Sequence, residues 1–358
     1  MVVAEVPELP YTDKPCFYRP AGLANGVFLR VADGDRRATV HEVQLLREAR
    51  GQPQHDLEPV ADAAPADLDR DRVQALLDSL RGRPDAPWRE WDDLRVLHTV
   101  RALVAHEGRL VPSLAGWLCL APYPQERFPN LAVAFIRYPT PVAGELGPQG
   151  ERFLDNQLIE GPLPVMVREV IRVAKRNMQR RGIVRGLYRE DLWEYPEEVL
   201  REAVVNALVH RDLSPAARGT LVQVQMYPDR LEALNPGGLF GPVVLERLGE
   251  PGQQAARNAH LVRLVTELAE DQAQRRLCEN RGTGIAVMVE RLREAGMAPP
   301  EFHDSLLSFR VCFPNHSLLD PDTLQWVQAL VGDRASDTQR RVLAWLRHSG
   351  RDLDNATY

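Results

Sequence analysis

The feature that most constrains this chain is a helix-forming run, Glu197–His210, in which apolar residues flank a row of polar residues. Glu202, Asn206 and His210 stand at i, i+4 and i+8, within an arc of about 80° on one face of a helix. Burying such a row beside apolar surface is costly unless partners satisfy it. The run predicts a helix with buried faces whose polar row is either solvated or part of a site.

Two glycine-containing turns follow this helix at points where a chain can approach a ligand closely. The first, Asn235–Gly238 (NPGG), comes directly after a predicted strand, where adjacent glycines let the backbone come near a bound molecule. The second, Arg281–Gly284 (RGTG), directly precedes a predicted helix, whose free N–H groups and dipole favour phosphate. Taken alone, each turn is more typical of an ordinary loop. Their order and spacing after the helix form the specific signal.

Hydrophobic periodicity and turn residues predict the other elements. Helices are predicted at Arg70–Leu80, Trp91–His106, Leu163–Arg181, Asn258–Leu268, Thr283–Ala295, Pro321–Leu330 and Asp337–His348. Strands are predicted at Gly26–Val31, Leu131–Tyr138, Leu221–Met226, Leu231–Leu234 and Leu306–Phe313. Asp33–Arg37 is predicted as a polar turn, Thr39 with Glu42 as a capping box at a helix start, and residues 51–68 as a linker. The order of elements in residues 191–318 indicates an α+β sandwich with one helical layer on a sheet.

Composition narrows the class of protein. The formal net charge of −6 is not that of a protein coated with basic residues for nucleic acid, although a local DNA-reading face stays open. The sequence contains no 18-residue apolar run and no apolar signal-peptide core in its first 20 residues, so we expect a cytoplasmic protein with no membrane association. None of the four cysteines forms a C-x-x-C pair, which favours reduced, buried thiols.

The helix and the two turns together resemble the GHKL ATPases, a group that includes gyrase, histidine kinases and mismatch-repair ATPases. Their nucleotide site uses a Glu–Asn helix, a glycine box after a strand, a mobile lid and a second glycine box at a helix start. The same order runs here from Glu202 and Asn206 through Asn235–Gly238 to Gly282–Gly284. The resemblance implies an α/β sandwich of the GHKL (Bergerat) type over residues 191–318.

One branch of this group is more similar still: transcriptional regulators labelled "RecG-like", which carry a Schlafen AlbA-type N-terminal domain. The phrases that carry this resemblance are YPEEVLREAVVNALVHRD (Tyr195–Asp212), DRLEALNPGGL (Asp229–Leu239), RNAHLVRL (Arg257–Leu264), RGTGI (Arg281–Ile285), PPEF (Pro299–Phe302) and NGVFLRVADGDRRAT (Asn25–Thr39). It covers about residues 10–315. It implies four regions: a partial AlbA-type domain and linker (1–60), a mixed α/β connecting domain (61–190), the ATP-binding domain (191–318) and a partial winged-helix DNA-binding segment (319–358).

The resemblance also implies roles for individual residues, with ATP and Mg²⁺ as cofactors. Glu202 would be the catalytic residue that orients or deprotonates the attacking water, and Asn206 would bind Mg²⁺ through its side-chain oxygen. Asn235 would contact adenine. The phosphates would be lined by Gly237, Gly238, Gly282, Thr283 and Gly284 and contacted by Arg257 and Arg281. His210 is interpreted as a structural residue that holds the helix against the next loop.

The sequence departs from the family pattern in four places. The AlbA-type domain lacks its first half, where the family's site residues would lie, and the winged helix is cut short at Tyr358, which is typical of a fragment of a longer protein. Asn235 stands where GHKL ATPases place an aspartate, although its amide oxygen can still accept a hydrogen bond from adenine. The lid segment Glu267–Glu279 is longer and more charged than usual.

Three functions follow as alternatives. The first is an ATP-binding transcriptional regulator that acts on DNA through its terminal domains; whether it hydrolyses ATP, as a weak Mg²⁺-dependent ATPase, stays open. The second is a non-catalytic scaffold of the same fold for oligomerisation or partner binding, and homo-oligomerisation itself stays open. The third is a Schlafen-like nucleic-acid enzyme. A helicase is not predicted, because no G-x-x-x-x-G-K-[ST] P-loop occurs.

Overall fold

The computed structural model describes residues 9, 13–31, 34–48, 51–83, 85–178, 180–185, 188–250, 252, 254–268, 277, 283–315, 321–332, 335 and 337–349. The described helices are α1 Gly22–Asn25, α2 Val40–Glu48, α3 Arg70–Arg81, α4 Asp93–Thr99, α5 Leu114–Leu120, α6 Leu163–Asn177, α7 Glu197–Val209, α8 Ala259–Glu267, α9 Gly284–Glu294, α10 Pro321–Val331 and α11 Asp337–Ser349. The described strands are β1 Phe28–Val31, β2 Gly34–Arg37, β3 Leu103–His106, β4 Arg109–Pro112, β5 Val133–Arg137, β6 Asp155–Ile159, β7 Arg180–Arg185, β8 Tyr188–Trp193, β9 Val222–Met226, β10 Arg230–Pro236, β11 Glu301–Asp304 and β12 Ser308–Pro314.

A six-stranded sheet organises the molecule, in the order β11-β12-β10-β9-β5-β6. All neighbours in it are antiparallel except β5 and β9, which run parallel with Val133 opposite Val222. Because side chains alternate between the two faces of a strand, one face collects the buried residues Val224, Leu231 and Phe313. The sheet is therefore mixed, with one face built for burial.

Helices cover that face in layers. Helix α6 packs on β5 and β6, and α7 packs on β9 and β10. Helix α9 packs against α7, while α5 contacts both α6 and α8. A single hydrophobic core runs from Val60 to Phe313 through these elements. The expected α+β architecture, with helices on one face of a sheet, is confirmed.

The sheet begins earlier in the chain than the range 191–318 predicted for it. Strands β5 and β6 and helix α6 come from the range 61–190, which was predicted as a separate connecting domain. They join because β5 pairs in parallel with β9 and shares its core face with it. Residues of both ranges thus contribute to one core.

Two predicted helices were too long. The Trp91–His106 helix is wrong over its second half: α4 ends at Thr99, Arg101 adopts a positive φ of 67°, and the chain turns into the β3–β4 hairpin. The Leu163–Arg181 helix ends at Asn177, because Met178 takes an extended ψ of 150° and β7 follows.

Other differences lie near the N-terminus and in the sheet. The predicted Asp33–Arg37 turn contains strand β2, which pairs with β1. The predicted linker 51–68 is packed, since Val60 and Ala63 are buried in the main core. Strand β11 was not predicted. The capping box is confirmed: the Thr39 N–H donates to Glu42 Oε2 at 2.8 Å, and the Glu42 N–H donates to Thr39 Oγ1 at 3.2 Å.

Asn258 fixes the end of α7 relative to the start of α8. It is 1% exposed, and its Nδ2 donates to the carbonyls of Val209 at 2.9 Å and Arg211 at 2.8 Å. These carbonyls lie at the C-terminal end of α7, where no helical N–H remains to bond them. One side chain therefore satisfies the end of one helix and stands directly before the next.

We expect Asn258→Ala to destabilise the protein by about 2–4 kcal/mol, because two buried carbonyl acceptors lose their donor. The comparison variant Asn156→Ala removes an exposed amide on β6 and should change stability by less than about 0.5 kcal/mol. Urea denaturation of the two variants measures the difference. Equal midpoints would show that the Asn258 bonds do not hold this junction.

Candidate functional site

Helix α7 presents its polar row from a firmly anchored position. At its start, Glu197 forms ion pairs with Lys175 and with Arg201, the latter at 2.7 Å, and the hydrogen bond from Lys175 lowers the pKa of Glu197. From residue 203 to residue 209 only Asn206 is not buried. Glu202, Asn206 and His210 are all partly exposed. The helix therefore leaves its polar row as its accessible edge.

Glu202 lies against the first residue of α9. A Cβ placed on Gly284 would stand 1.7 Å from Glu202 Oε1, so only glycine lets the carboxylate and the helix start approach this closely. The polar row of α7 and the second glycine box thus lie on the same side of the sheet. This contact joins two features that are 82 positions apart in the chain.

Among the described residues, no side chain forms a capping hydrogen bond at the N-terminus of α9. Thr283 precedes the helix and makes no capping hydrogen bond, and the first turn contains no acidic residue. The first N–H groups of a helix lack intrahelical partners, and the helix dipole favours an anion beside them. These features would favour a phosphate at the start of α9, beside Glu202.

Asn206 lies one helical turn further along α7, about 6 Å from Glu202 along the axis. Its side chain is partly exposed and makes no hydrogen bond to any residue that the structure describes. Amide oxygens are among the ligands that Mg²⁺ accepts. Position and chemistry therefore fit a metal ligand beside an anion at α9.

The first glycine box lies at the other end of the row. Gly237 has a φ of 86°, and a Cβ there would lie 2.9 Å from Asp212 Cβ and 3.3 Å from Arg257 Cζ. Arg257 Nη2 donates to the Gly238 carbonyl at 3.0 Å. The backbone of the box thus lies between Asp212, which follows α7, and Arg257, which precedes the N-cap residue of α8.

Asn235 stands at the end of β10, on the face of the sheet that the helices cover, and is 4% exposed. Its Nδ2 donates to the carbonyls of Pro236 and Gly237, both at 3.2 Å. This leaves Oδ1 pointing away from those carbonyls, with no hydrogen bond to the described residues. The side chain is fixed with an acceptor available to a ligand.

The structure brings together Glu202, Thr283 and Gly284 at one end of the α7 row and Asn235, Gly237, Gly238 and Arg257 at the other. Asn206 lies between the two ends. Glu202 and His210 are eight positions apart, a distance of about 12 Å along the helix axis. Arg281 and Gly282 lie outside the described residues. Arg257 lies beside the first glycine box, at the end of the row away from Glu202.

His210 closes the row at the first box. Although the residue keeps part of its surface exposed, desolvation of its imidazole, and next the positive charge of Arg257, lower its pKa from 6.5 to about 4. The imidazole is therefore neutral near pH 7 and keeps one lone pair. A neutral ring beside a guanidinium adds no second positive charge to this end of the site.

Two acidic residues at the site were not predicted from the sequence. Asp212 accepts from the Ser214 N–H at 2.8 Å and packs on Gly237, and Asp304 accepts from the Leu239 N–H at 2.8 Å. Burial raises the pKa of Asp304. The H-R-D triplet directly after α7 could have indicated Asp212, whereas Asp304 lies on β11, one of the strands that were not predicted.

A cavity of about 640 Å³ lies on the opposite, open face of the sheet. Arg230, Glu232 and Arg310 contribute to its lining, and the alternation of side chains directs them away from α7. Both arginines pair with Glu232, at 2.6 Å and 3.4 Å, so their charges are largely compensated within the protein. The cavity lies on the other side of the sheet from α7, although its lining includes Asp304 beside the first glycine box.

Within the described part of the chain, no group of three or more His, Cys, Asp or Glu side chains is arranged to hold a metal ion. A divalent cation at Asn206 would therefore depend on a ligand that brings its own oxygen atoms. In the same part of the chain, no helix has the length and apolarity that a bilayer crossing requires.

Comparison with known families supports an ATPase-like domain. Residues 219–313 match the family model HATPase_c_4, described as "Putative ATP-dependent DNA helicase recG C-terminal". The match includes both glycine boxes and Arg257, and it begins after α7. It favours ATP binding by this part of the chain.

A solved structure has a similar fold. The DIP2311 protein from Corynebacterium diphtheriae superposes with a TM-score of 0.54 at 18% sequence identity, over 89% of this chain and 63% of that one. At this identity the similarity concerns the fold alone, and this chain spans less than two thirds of that protein. No curated protein matches this chain.

We expect His210 to make the protein less stable in mild acid. The unfolded chain protonates this imidazole near pH 6.5 and the folded protein only near pH 4, so stability falls as the pH falls through that window. The loss is at most about 3 kcal/mol. His210→Gln should lose this contribution, and the exposed His303→Gln should retain it. Denaturation midpoints at pH 7, 5.5 and 4 measure it; parallel wild-type and His210→Gln curves would contradict it.

Proposed function

We propose that this protein binds ATP with Mg²⁺ along the polar row of α7, in a site of the GHKL type, and acts on DNA as a regulator. The observation that carries the proposal is the contact of Glu202 with Gly284 at the start of α9, where Thr283 makes no capping hydrogen bond. It places a carboxylate next to a phosphate-binding helix end, and the match to an ATPase-like family over residues 219–313 agrees with it.

The adenine would lie at the first glycine box. Asn235 Oδ1 would accept a hydrogen bond from the adenine amino group, which an aspartate accepts in the similar ATPases. Arg257 would lie beside the base, ribose or proximal phosphate, because its guanidinium is held at Gly238. The positions of the two boxes along α7 thus set the direction of the nucleotide.

The phosphates would lie at the start of α9, on the N–H groups that follow Thr283, with Gly282 and Arg281 as further contacts. Asn206 would hold Mg²⁺ together with phosphate oxygens, and the metal would neutralise part of their charge. Glu202 stands about 6 Å further along the helix axis. It would therefore face the terminal phosphate.

If hydrolysis takes place, Glu202 would accept a proton from the attacking water. The water oxygen would bond to the terminal phosphorus while the bond from that phosphorus to the bridging oxygen breaks. ADP and phosphate would leave, and the carboxylic acid would return its proton to solvent. Glu202 is thus the one residue whose loss affects the reaction more than binding.

The DNA-directed part of the proposal rests on the resemblance of Asn25–Thr39 to the AlbA-type domain and of residues 319–358 to a winged helix. In the first region, the β1–β2 hairpin exposes Arg30 and Arg37, and α2 packs beneath it. In the second, α10 contacts α11. Oligomerisation and a cytoplasmic location remain parts of the same proposal.

We expect Asn206→Ala to weaken MgATP binding by at least about 10-fold, because the phosphate charge loses its bridge to the protein. Glu202→Ala should retain binding and abolish any hydrolysis. Asn235→Ala should weaken ATP by about 3- to 10-fold and leave inorganic triphosphate unchanged, since only the contact to the base is lost. Calorimetric titration with and without Mg²⁺ measures all three.

The control variant is Asn156→Ala, which removes an exposed amide on the far edge of the sheet and should bind ATP like the wild type. If the wild type binds no adenine nucleotide at millimolar concentration, the catalytic proposal fails. The alternative of a scaffold that keeps the fold without the nucleotide would then take its place. Nuclease activity with a metal would instead favour the nucleic-acid enzyme.

A further inference from the structure

A short segment after the N-terminal unit, which contains Gln52, forms hydrogen bonds with the backbone at Arg257. Gln52 Nε2 donates to the carbonyls of Ala256 at 2.9 Å and Arg257 at 2.8 Å. Two bonds from one amide to successive carbonyls fix the path of the chain there. Gln52 is itself exposed, so these two hydrogen bonds lie on the surface of the protein and not in its core.

Asp56 adds a second attachment four residues later. It is fully buried, and its Oδ2 accepts from the N–H groups of His260 at 2.8 Å and Leu261 at 3.1 Å. These are first-turn amides of α8, which lack intrahelical partners, and Asn258 does not cap them because its side chain bonds to the end of α7. A carboxylate from a distant segment therefore caps α8.

The segment continues into the main core. Glu58 forms an ion pair with Arg218, and its carbonyl accepts from the Leu114 N–H at 2.8 Å. In the other direction along the chain, α2 ends at Glu48, and the unit it belongs to has a separate small core around Val27. The segment Gln52–Glu58 thus follows that unit in the chain, and in the fold it contacts the α8 region.

Arg257 carries this connection into the site. Its backbone is held by Gln52, while its guanidinium bonds to the Gly238 carbonyl and packs on Gly237. A shift of the segment would move the guanidinium relative to the first glycine box. Nucleotide bound there would in turn resist such a shift.

We propose that Gln52 and Asp56 are positioning residues for the nucleotide site, and that through them the segment Gln52–Glu58 and the nucleotide affect each other. The inference rests on the proposed ATP binding and adds its regulation. Because coupling between two sites is reciprocal, a change in the segment that lowers ATP affinity means that ATP also restrains the segment.

The test uses Gln52→Ala and Gln52→Glu in the full chain. Alanine removes both hydrogen bonds, which should weaken MgATP binding by about 3- to 10-fold. Glutamate keeps the size and turns a carboxylate oxygen toward two carbonyl oxygens, so it should weaken binding more than alanine does. Gln74→Glu, on the exposed surface of α3, adds the same charge away from the site and should bind as the wild type does.

Two readouts separate positioning from general stability. The melting temperature of both Gln52 variants should stay within about 2 °C of the wild type, because an exposed side chain contributes little to the core. Saturating MgATP should slow hydrogen exchange in residues 51–60 of the wild type and not of Gln52→Glu. Calorimetric titration supplies the affinities.

Each outcome decides one claim. If the wild type binds MgATP and Gln52→Glu binds it with the same affinity, the positioning role is overturned and the proposed function is left intact. A loss of affinity in Gln74→Glu equal to that in Gln52→Glu overturns it as well, since charge alone would explain the effect. If the wild type binds no MgATP, the proposed function fails and this inference fails with it.

Discussion

The burial of helix α7 is the constraint on which the rest of the structure depends. Sheet strands β9 and β10 cover one side of it and α6 and α9 cover others, so between residues 203 and 209 only Asn206 stays accessible. A ligand can therefore reach α7 along one edge, and that edge carries Glu202, Asn206 and His210. The packing that stabilises the helix also orients the polar row between the two glycine boxes.

The ends of the helices are satisfied by side chains from elsewhere in the chain. Asn258 bonds to the carbonyls at the end of α7, and Asp56 caps the start of α8. At the start of α9, no described side chain forms such a capping bond, and the Glu202 carboxylate lies beside the helix end. Of these three helix ends, the start of α9 is the one where a bound anion would be expected.

Local sequence patterns predicted those parts of the structure that are formed by residues close together in the chain. The apolar faces and polar row of α7, the strands β9 and β10 and the capping box at Thr39 all follow from spacing within a few residues. The parallel pairing of β5 with β9 and the capping of α8 by Asp56 depend on contacts between distant segments, which no short pattern encodes. The break at Arg101 depends on a positive φ that its residue type does not suggest. The candidate site was predictable where motifs formed it, whereas Asp304 and Gln52 came into view only through the fold.

The most direct test of a nucleotide site along α7 is a crystal structure of the full chain with Mg²⁺ and a non-hydrolysable ATP analogue. We predict that the adenine amino group lies within about 3 Å of Asn235 Oδ1, and that the terminal phosphate lies at the start of α9 beside Glu202. Mg²⁺ should contact Asn206. Nucleotide in the cavity on the open face of the sheet, with none along α7, would contradict the account.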